Sequence, residues 1–332
     1  MDVMERTKAK IASLVGDAYP GVDYRFINPD EHHILGLAQL LPTAEALTEE
    51  MLFDVASLTK VVCTTTVILK LWERGVLQFD EPLRHFLPTF QEGVTIRHLL
   101  THTSGVAGYI PNRDQLTASA LRQAYLAMQT SQLPSPVKYT DTGTILLGFM
   151  LEEIFQQDVV TIFQEEVLTP LGMTKSRFEK VDPAQAVASQ YDSPRGPLRG
   201  TTHDPKAFIL GAHAGNAGLF TTSGDLLHFS RMLLQRGWHE GPFLKEETVL
   251  LLLEDQTPDK QGGRSLGWDL KGPYLYHTGY TGTFLLLDPL QEKGLIFLSN
   301  RVHPYDHRAA YLKKRDEIIE TFLQESTSGV KK

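Results

Sequence analysis

Hydrophobic positions along the chain switch between helical and alternating periods, and the switches mark its elements. Val3, Ile11, Leu14 and Val15 recur at helical spacing until Pro20-Gly21, which predicts a helix over residues 3 to 19. Two β-rich runs follow, 22 to 27 and 34 to 40, separated by the turn composition Asn28-Pro29-Asp30-Glu31. His32 and His33 are expected in that solvated turn; as neighbours on a strand they would point to opposite faces and make a poor metal pair. Past the apolar approach Phe53-Asp54-Val55-Ala56, the positions Val61, Val62, Ile68, Leu69, Trp72 and Val76 return to helical spacing. Residues 57 to 74 therefore read as a helix closed by Gly75, with Ser57 in its first turn.

From Ile68 to about Phe178 the pattern stays mostly helical, over 73 to 87, 96 to 101, 115 to 128, 145 to 155 and 160 to 168. An all-α lobe follows from that. Residues 179 to 210 are rich in Pro, Gly and polar positions and read as an extended loop over the surface. A helix over 223 to 236 carries Leu226, Leu227, Phe229, Met232 and Leu233 toward the core. Strand periodicity then returns at 274 to 277, 283 to 287 and 295 to 300, with a hairpin turn over 288 to 294, as neighbours in an antiparallel sheet. A final helix over 311 to 323 is expected to pair with the N-terminal one on one sheet face, and the tail from Ser326 to fray. The class is α+β: a single domain over 1–332, with an antiparallel-sheet lobe from 1–60 and 205–332 and an inserted helical lobe from 61–204.

The chain has 332 residues, 42% hydrophobic and 22% charged, enough for a sizeable core. Its net charge of −8, without a basic cluster beyond pairs such as Lys313-Lys314-Arg315, argues against nucleic acid as a partner. No run of 18 or more apolar residues suggests a membrane span, and residues 1 to 8 lack the apolar centre of a secretory signal. The expectation is a cytoplasmic chain as given, or an extracytoplasmic one if a leader was trimmed. Cys63 is the single cysteine, which leaves no internal disulfide; among apolar neighbours it reads as a packed small side chain.

Candidate chemistry centres on Ser57 and Lys60. Side chains three apart on a helix share a face, with roughly 5–6 Å between Cβ atoms, so the amine can reach the hydroxyl. A serine becomes nucleophilic when a neighbour takes its proton, and unpaired N–H groups at a helix start suit a developing oxyanion. A Ser-x-x-Lys is expected by chance about once in a chain of this size. Two further pieces change its weight: Tyr139-Thr140-Asp141, and His277-Thr278-Gly279 beyond it.

With these three motifs the chain resembles the β-lactamases and penicillin-binding proteins, in the tyrosine-containing branch of class C β-lactamases, DD-peptidases and related esterases. The likeness extends through Phe53 to Lys60, Ile96 to Gly105, Tyr139 to Gly148, Gly215 to Phe220 and His277 to Thr283. It implies the β-lactamase/transpeptidase fold and an acyl-enzyme on Ser57. Lys60 and Tyr139 would move protons, and the amides of Ser57 and Tyr280 would form the oxyanion hole. Asp141, His277, Thr278 and Gly279 would face the substrate, any side chain at position 279 crowding it. Asp141 occupies a slot that is Asn or Ser in many relatives, and its carboxylate would favour the ammonium form of Lys60, shifting base duty toward Tyr139. His277 stands where many β-lactamases carry Lys, which points away from β-lactamase activity while leaving a peptidase open, since some DD-peptidase relatives carry His there. His98 and His102 are expected as structural hydrogen-bonders.

The stretches His203-Asp204-Pro205-Lys206-Ala207 and His213 to Phe220 are similar to a subgroup with cell-wall peptidases and muropeptide amidases. The implied substrates are D-amino-acid peptides or other peptidoglycan-derived molecules, with β-lactams as slow covalent ligands and neither cofactor nor metal required. A carboxylesterase, or a penicillin-sensing domain that acylates once and stalls, is the alternative.

Overall fold

The computed structural model describes residues 4–90, 93–106, 109–178 and 181–328. Its strands are β1 (Gly21–Ile27), β2 (Glu31–Gln39), β3 (Glu45–Ala46), β4 (Phe53–Asp54), β5 (Phe220–Thr221), β6 (Asp269–Lys271), β7 (Tyr274–Gly279), β8 (Thr283–Asp288) and β9 (Lys293–Ser299). The helices are α1 (Glu5–Ser13), α2 (Thr66–Glu73), α3 (Ile96–Leu100), α4 (Ala118–Leu126), α5 (Thr142–Phe155), α6 (Val159–Phe163), α7 (Pro205–Leu210), α8 (Ser223–Leu234), α9 (Glu246–Leu251) and α10 (Arg308–Ser328). Seven strands form one antiparallel sheet in the order β3-β2-β1-β9-β8-β7-β6, while β4 and β5 pair separately.

The chain thus joins its first strands to its last, because β1 lies between β2 and β9. Strand β8 is buried at every position, and its run Phe284-Leu285-Leu286-Leu287 is apolar on both faces because both are covered. On one face Phe284, Leu286, Phe297 and Tyr24 meet Ile11 of α1 and Ile318, Ile319 and Phe322 of α10. On the other, Leu285, Leu287, Ile296 and Leu298 join the large core with Leu226 and Phe229 of α8. Each such side chain contributes about 1.5–3 kcal/mol by leaving water.

Helix α5 is buried from Thr142 through Glu152, so it is apolar nearly all round and serves as a core helix. Glycines let other backbone come close to it. A Cβ on Gly215 would lie 2.2 Å from the Thr144 carbonyl oxygen, so the chain leading into Asn216 can rest directly on α5.

Several sequence expectations shift. The helix expected over 57 to 74 begins at Leu58, passes through a π-helical turn at Lys60–Thr65 and runs into α2, so Ser57 stands just before it. Of the helix expected over 73 to 87 only a short 3-10 turn at Leu83–His85 exists. Helix α1 stops at Ser13, its C-cap being Leu14, and Val3 lies outside the described residues. His32 and His33 belong to β2 and not to a turn: His32 Nε2 lies 3.0 Å from Asp23 Oδ1, and His33 stacks on Tyr24 at 4.9 Å. Alternation kept them on opposite faces, but each found a partner on β1.

The expected surface loop over 179 to 210 is partly buried; its residues 179 and 180 lie outside the described set. The Val187 and Ala188 amides donate to Leu52 O at 2.9 Å and Ala38 O at 3.0 Å, and α7 closes the segment. Helix α10 reaches Ser328, so Ser326 does not fray, while 329–332 are not described. Among the described residues no helix is long and apolar enough to cross a membrane.

Candidate active site

The turn that carries Ser57 is built by hydrogen bonds around β4. Asp54 Oδ1 accepts the Ala56 amide at 2.8 Å, and Thr281 Oγ1 donates to the Asp54 carbonyl at 2.6 Å. Ala56 takes the left-handed conformation at φ +46, uncommon for a residue with a Cβ and a place where strain is held by surrounding bonds. Burial lifts the Asp54 carboxyl to about 6, although the Ala56 and His203 amides both favour its charge. Ser57 follows, with Oγ 2.6 Å from Lys60 Nζ.

Lys60 is buried and its ammonium also meets Asp141 Oδ1 at 2.7 Å and the Asn216 carbonyl at 2.9 Å. Burial works against that charge, but Asp141 first, then Tyr139 and Asp204, outweigh it and hold the amine above its ordinary value. Lys60 therefore rests as an ammonium. Burial likewise opposes ionisation of Asp141, and Lys60 with Lys206 overcomes it, holding the carboxyl well below its usual range. Lys206 Nζ reaches Asp141 Oδ2 at 3.0 Å and Asp204 Oδ2 at 2.7 Å. Asp204 is the N-cap of α7, its Oδ1 accepting the Ala207 amide at 2.8 Å, and Asn216 Nδ2 donates to the same oxygen at 3.2 Å.

Tyr139 sits half-exposed on the approach to α5, which begins at Thr142, three residues earlier than the pattern suggested. Its ring lies 4.7 Å from that of His102 and 6.1 Å from that of His277, centre to centre. Lys60 Nζ and the Arg264 guanidinium are 5.5 and 5.8 Å from the ring centre. Burial, then Arg264 and Lys60, push His102 far below the ordinary imidazole value, and its Nδ1 accepts the Thr140 amide at 3.4 Å. His98 closes a capping box with Thr95 at the start of α3.

His277 on β7 is buried and neutral, because burial, Lys60, Arg264 and His102 all disfavour its proton. Among the described residues neither ring nitrogen makes a well-formed hydrogen bond, and the neighbouring Thr278 backbone, which favours the protonated ring, is the smallest of the influences on it. Gly279 has a different reason from the one expected. A Cβ there would lie 2.2 Å from Thr283 Oγ1 and 2.3 Å from the Val55 carbonyl, so it would strike the protein's own chain before any substrate. That contact brings β7 against the turn that carries Ser57. Tyr280 comes next; its hydroxyl donates to Asp306 Oδ2 at 2.6 Å and its carbonyl accepts Arg301 Nε at 2.8 Å. Among the described residues, neither the Ser57 nor the Tyr280 amide donates to a protein acceptor.

Ser57, Tyr139, Asp141, Lys206 and Tyr280 line one cavity of about 350 Å³, and a second of about 620 Å³ shares Tyr139, Asp141 and Lys206 with it. Lys60 touches Ser57 and Asp141 from behind that wall. His277, Thr278 and Gly279 do not line either cavity; His277 reaches the site through the Tyr139 ring and Gly279 through Val55. Sequence reasoning assigned no role to Lys206, Asp204, Asn216 or Arg264. The Asp-Pro pair before Lys206 signals a helix start and could have placed the lysine on a first turn. Nothing local marks Arg264. Among the described residues no three metal-binding side chains cluster.

A protein of Escherichia coli (strain K12), provisionally named a D-alanyl-D-alanine carboxypeptidase, is 28% identical over 306 residues, covering 76% of this chain and 69% of that protein. The N-acetylmuramyl-L-alanine amidase of Bacillus subtilis (strain 168) is 24% identical over 316 residues, 80% of this chain and 71% of its own. The crystal structure of a β-lactamase/D-alanine carboxypeptidase from Pseudomonas syringae superposes with a TM-score of 0.76 over 96% of this chain and 97% of its own, at 17% identity, a likeness of fold. Residues 18–317 match the Beta-lactamase family model, and the chain belongs to that family of serine hydrolases.

Proposed function

We propose that the chain hydrolyses amide bonds of D-amino-acid peptides or muropeptides through an acyl-enzyme on Ser57. The observation that carries this is the 2.6 Å contact between Ser57 Oγ and Lys60 Nζ, on the wall of a cavity that Tyr139 and Tyr280 also line. Ser57 Oγ bonds to the carbonyl carbon, its proton passes to the Lys60–Tyr139 pair, and the carbonyl electrons move onto oxygen. The unclaimed amides of Ser57 and Tyr280 are donors for that oxyanion. The pair then returns a proton to the leaving nitrogen as the C–N bond breaks, and water repeats the sequence to free the acid. To accept a proton the pair must be one short, as amine plus phenol or as ammonium plus phenolate; the two differ only in where the proton sits.

The names of the carboxypeptidase and amidase relatives support this substrate class. So does Arg264, a buried cation that pairs with Asp269 through Nη1 at 3.3 Å and whose Nε and Nη2 have no hydrogen-bond partner among the described residues, because its field beside Tyr139 suits a substrate carboxylate. A carboxylesterase is the second reading, favoured by His277, whose neutral ring gives a carboxylate less than an ammonium would. The test is intact-mass labelling with a fluorescent penicillin, followed by hydrolysis of D-Ala-D-Ala peptides and p-nitrophenyl butyrate. We expect one label per chain, lost in Ser57→Ala, and peptide turnover. A label that survives Ser57→Ala refutes the assignment. Ester turnover without peptide turnover selects the esterase, and a label that never leaves selects a penicillin sensor.

A further inference from the structure

We propose that Lys206 is a second cation of the catalytic site: it keeps a positive charge on the far oxygen of Asp141, so that the Lys60–Tyr139 pair can part with the proton whose loss activates Ser57. This rests on the reading above and adds a residue to it.

The geometry is a closed ring. Lys60 Nζ contacts Asp141 Oδ1 at 2.7 Å, Asp141 Oδ2 contacts Lys206 Nζ at 3.0 Å, and Lys206 Nζ contacts Asp204 Oδ2 at 2.7 Å. Asp204 Oδ1 accepts Asn216 Nδ2 at 3.2 Å, and the Asn216 carbonyl accepts Lys60 Nζ at 2.9 Å, which returns to the start. Two lysines and two aspartates make this ring neutral at rest. When the Lys60–Tyr139 pair gives up a proton, the surroundings become one charge more negative, and only a cation that stays protonated offsets the change.

Lys206 is placed for that. It bonds the oxygen of Asp141 that Lys60 does not use, it is largely buried, and Asp204 with Asp141 holds its proton firmly against the effect of burial. No bond joins it to Ser57, so it acts through Asp141 and is a positioning residue. Other charged and titratable groups face the ring. Tyr139, His102, His277 and Arg264 lie on the Tyr139 side, and Asp54, His203 and Arg195 on the nucleophile side. Arg113, Asp114 and Tyr125 lie across the larger cavity. Both His102 and His277 are neutral, and Arg113 is paired with Asp114 at 2.8 Å. Among the described residues, Lys206 is thus the cation in direct contact with Asp141 other than Lys60.

Removing a cation makes proton loss from the pair harder, and removing an anion makes it easier. The experiment is the pH profile of kcat/KM for Ser57 acylation by p-nitrophenyl acetate, with thermal unfolding of each variant. In Lys206→Met we expect the acid limb to move to higher pH by about one unit, roughly a tenfold loss on that limb. Lys206→Arg should stay close to the unsubstituted chain, and Asp204→Asn, which still caps α7, should move the limb the other way. A merely structural lysine would lower the unfolding temperature and leave the limb in place. An unmoved limb in Lys206→Met, or a shift of the same sign in Asp204→Asn, overturns the proposal. Should Lys206→Met not fold, Lys206→Gln and Asp204→Asn carry the same test, and a limb unmoved in both overturns it. A chain whose Ser57 takes no acyl group refutes the underlying reading; Ser57-dependent acylation with an unmoved limb refutes this inference alone.

Discussion

Lys60 illustrates how two opposed effects of similar size decide a protonation state. Full burial disfavours an ammonium, yet a carboxylate at 2.7 Å in the same dry surroundings favours it more. Asp141 is thus the residue that holds Lys60 charged. Replacing it by Asn leaves both lysines facing a neutral amide, and the Lys60–Tyr139 pair then releases its proton more readily. We expect Asp141→Asn to move the acid limb of kcat/KM to lower pH by at least about one unit, opposite to Lys206→Met. A limb that rises in Asp141→Asn would mean that Asp141 does not govern this proton. Sequence alone pointed to the direction of this effect, since a carboxylate and an amine were expected in one site. It did not reveal Lys206, because an α7 lysine meets Asp141 only after the chain folds back over the helices.

Among the elements, β7 and the turn that carries Ser57 come together at Gly279. With no side chain, residue 279 lets the strand lie on the Val55 carbonyl, and that closeness sets where the Tyr280 amide stands relative to Ser57. In Gly279→Ala the new methyl overlaps backbone on one side and the Thr283 hydroxyl on the other, so strand and turn must separate. We expect a loss of about 1–3 kcal/mol in urea unfolding, together with a fall in kcat. Unchanged unfolding would show that the turn yields without cost. The same element scale explains why periodicity did not reveal the π-helical stretch within residues 57 to 74. Apolar spacing records which side chains are buried, and Val61 and Val62 are buried whether the backbone is α- or π-helical. Ser57 itself stands just ahead of the helix, on a turn where the Asp54 carboxylate accepts the Ala56 amide, a contact that periodicity does not contain. Likewise β2 began earlier than the β-rich run, because Tyr24 and Asp23 on β1 gave His33 and His32 partners.

For the whole molecule, stability should fall on acidification. Burial holds His98, His102, His203, His277 and His303 below the ordinary imidazole value, His203 at about 4. As pH falls below about 6.5, the unfolded chain takes up protons that these folded sites refuse, so each histidine's contribution is present near neutrality and lost on acidification. Asp54 opposes them. Its folded carboxyl titrates at about 6, above its unfolded value, so its contribution is largest in acid and lost as pH rises through that value. Five imidazoles outnumber one carboxyl, and Asp141, held low by two lysines, loses its contribution in still stronger acid. We expect the urea midpoint near pH 5 to lie below that near pH 7; a higher midpoint in acid would show that Asp54 dominates.

Local physics was enough for much of this chain. The strands of the C-terminal third, the core helix α5 and the three-residue spacing of Ser57 and Lys60 follow from near-neighbour geometry, because burial period and helical rise operate over a few residues. The closed ring of charges required the fold. Lys60 and the Asn216 carbonyl are 156 positions apart in the chain, and they meet because Gly215 lets that backbone settle on α5. Arg264 and His277 converge on Tyr139 in the same way. No local period encodes such meetings, since they depend on which buried surfaces pack together and on the neutral charge balance that packing must leave behind.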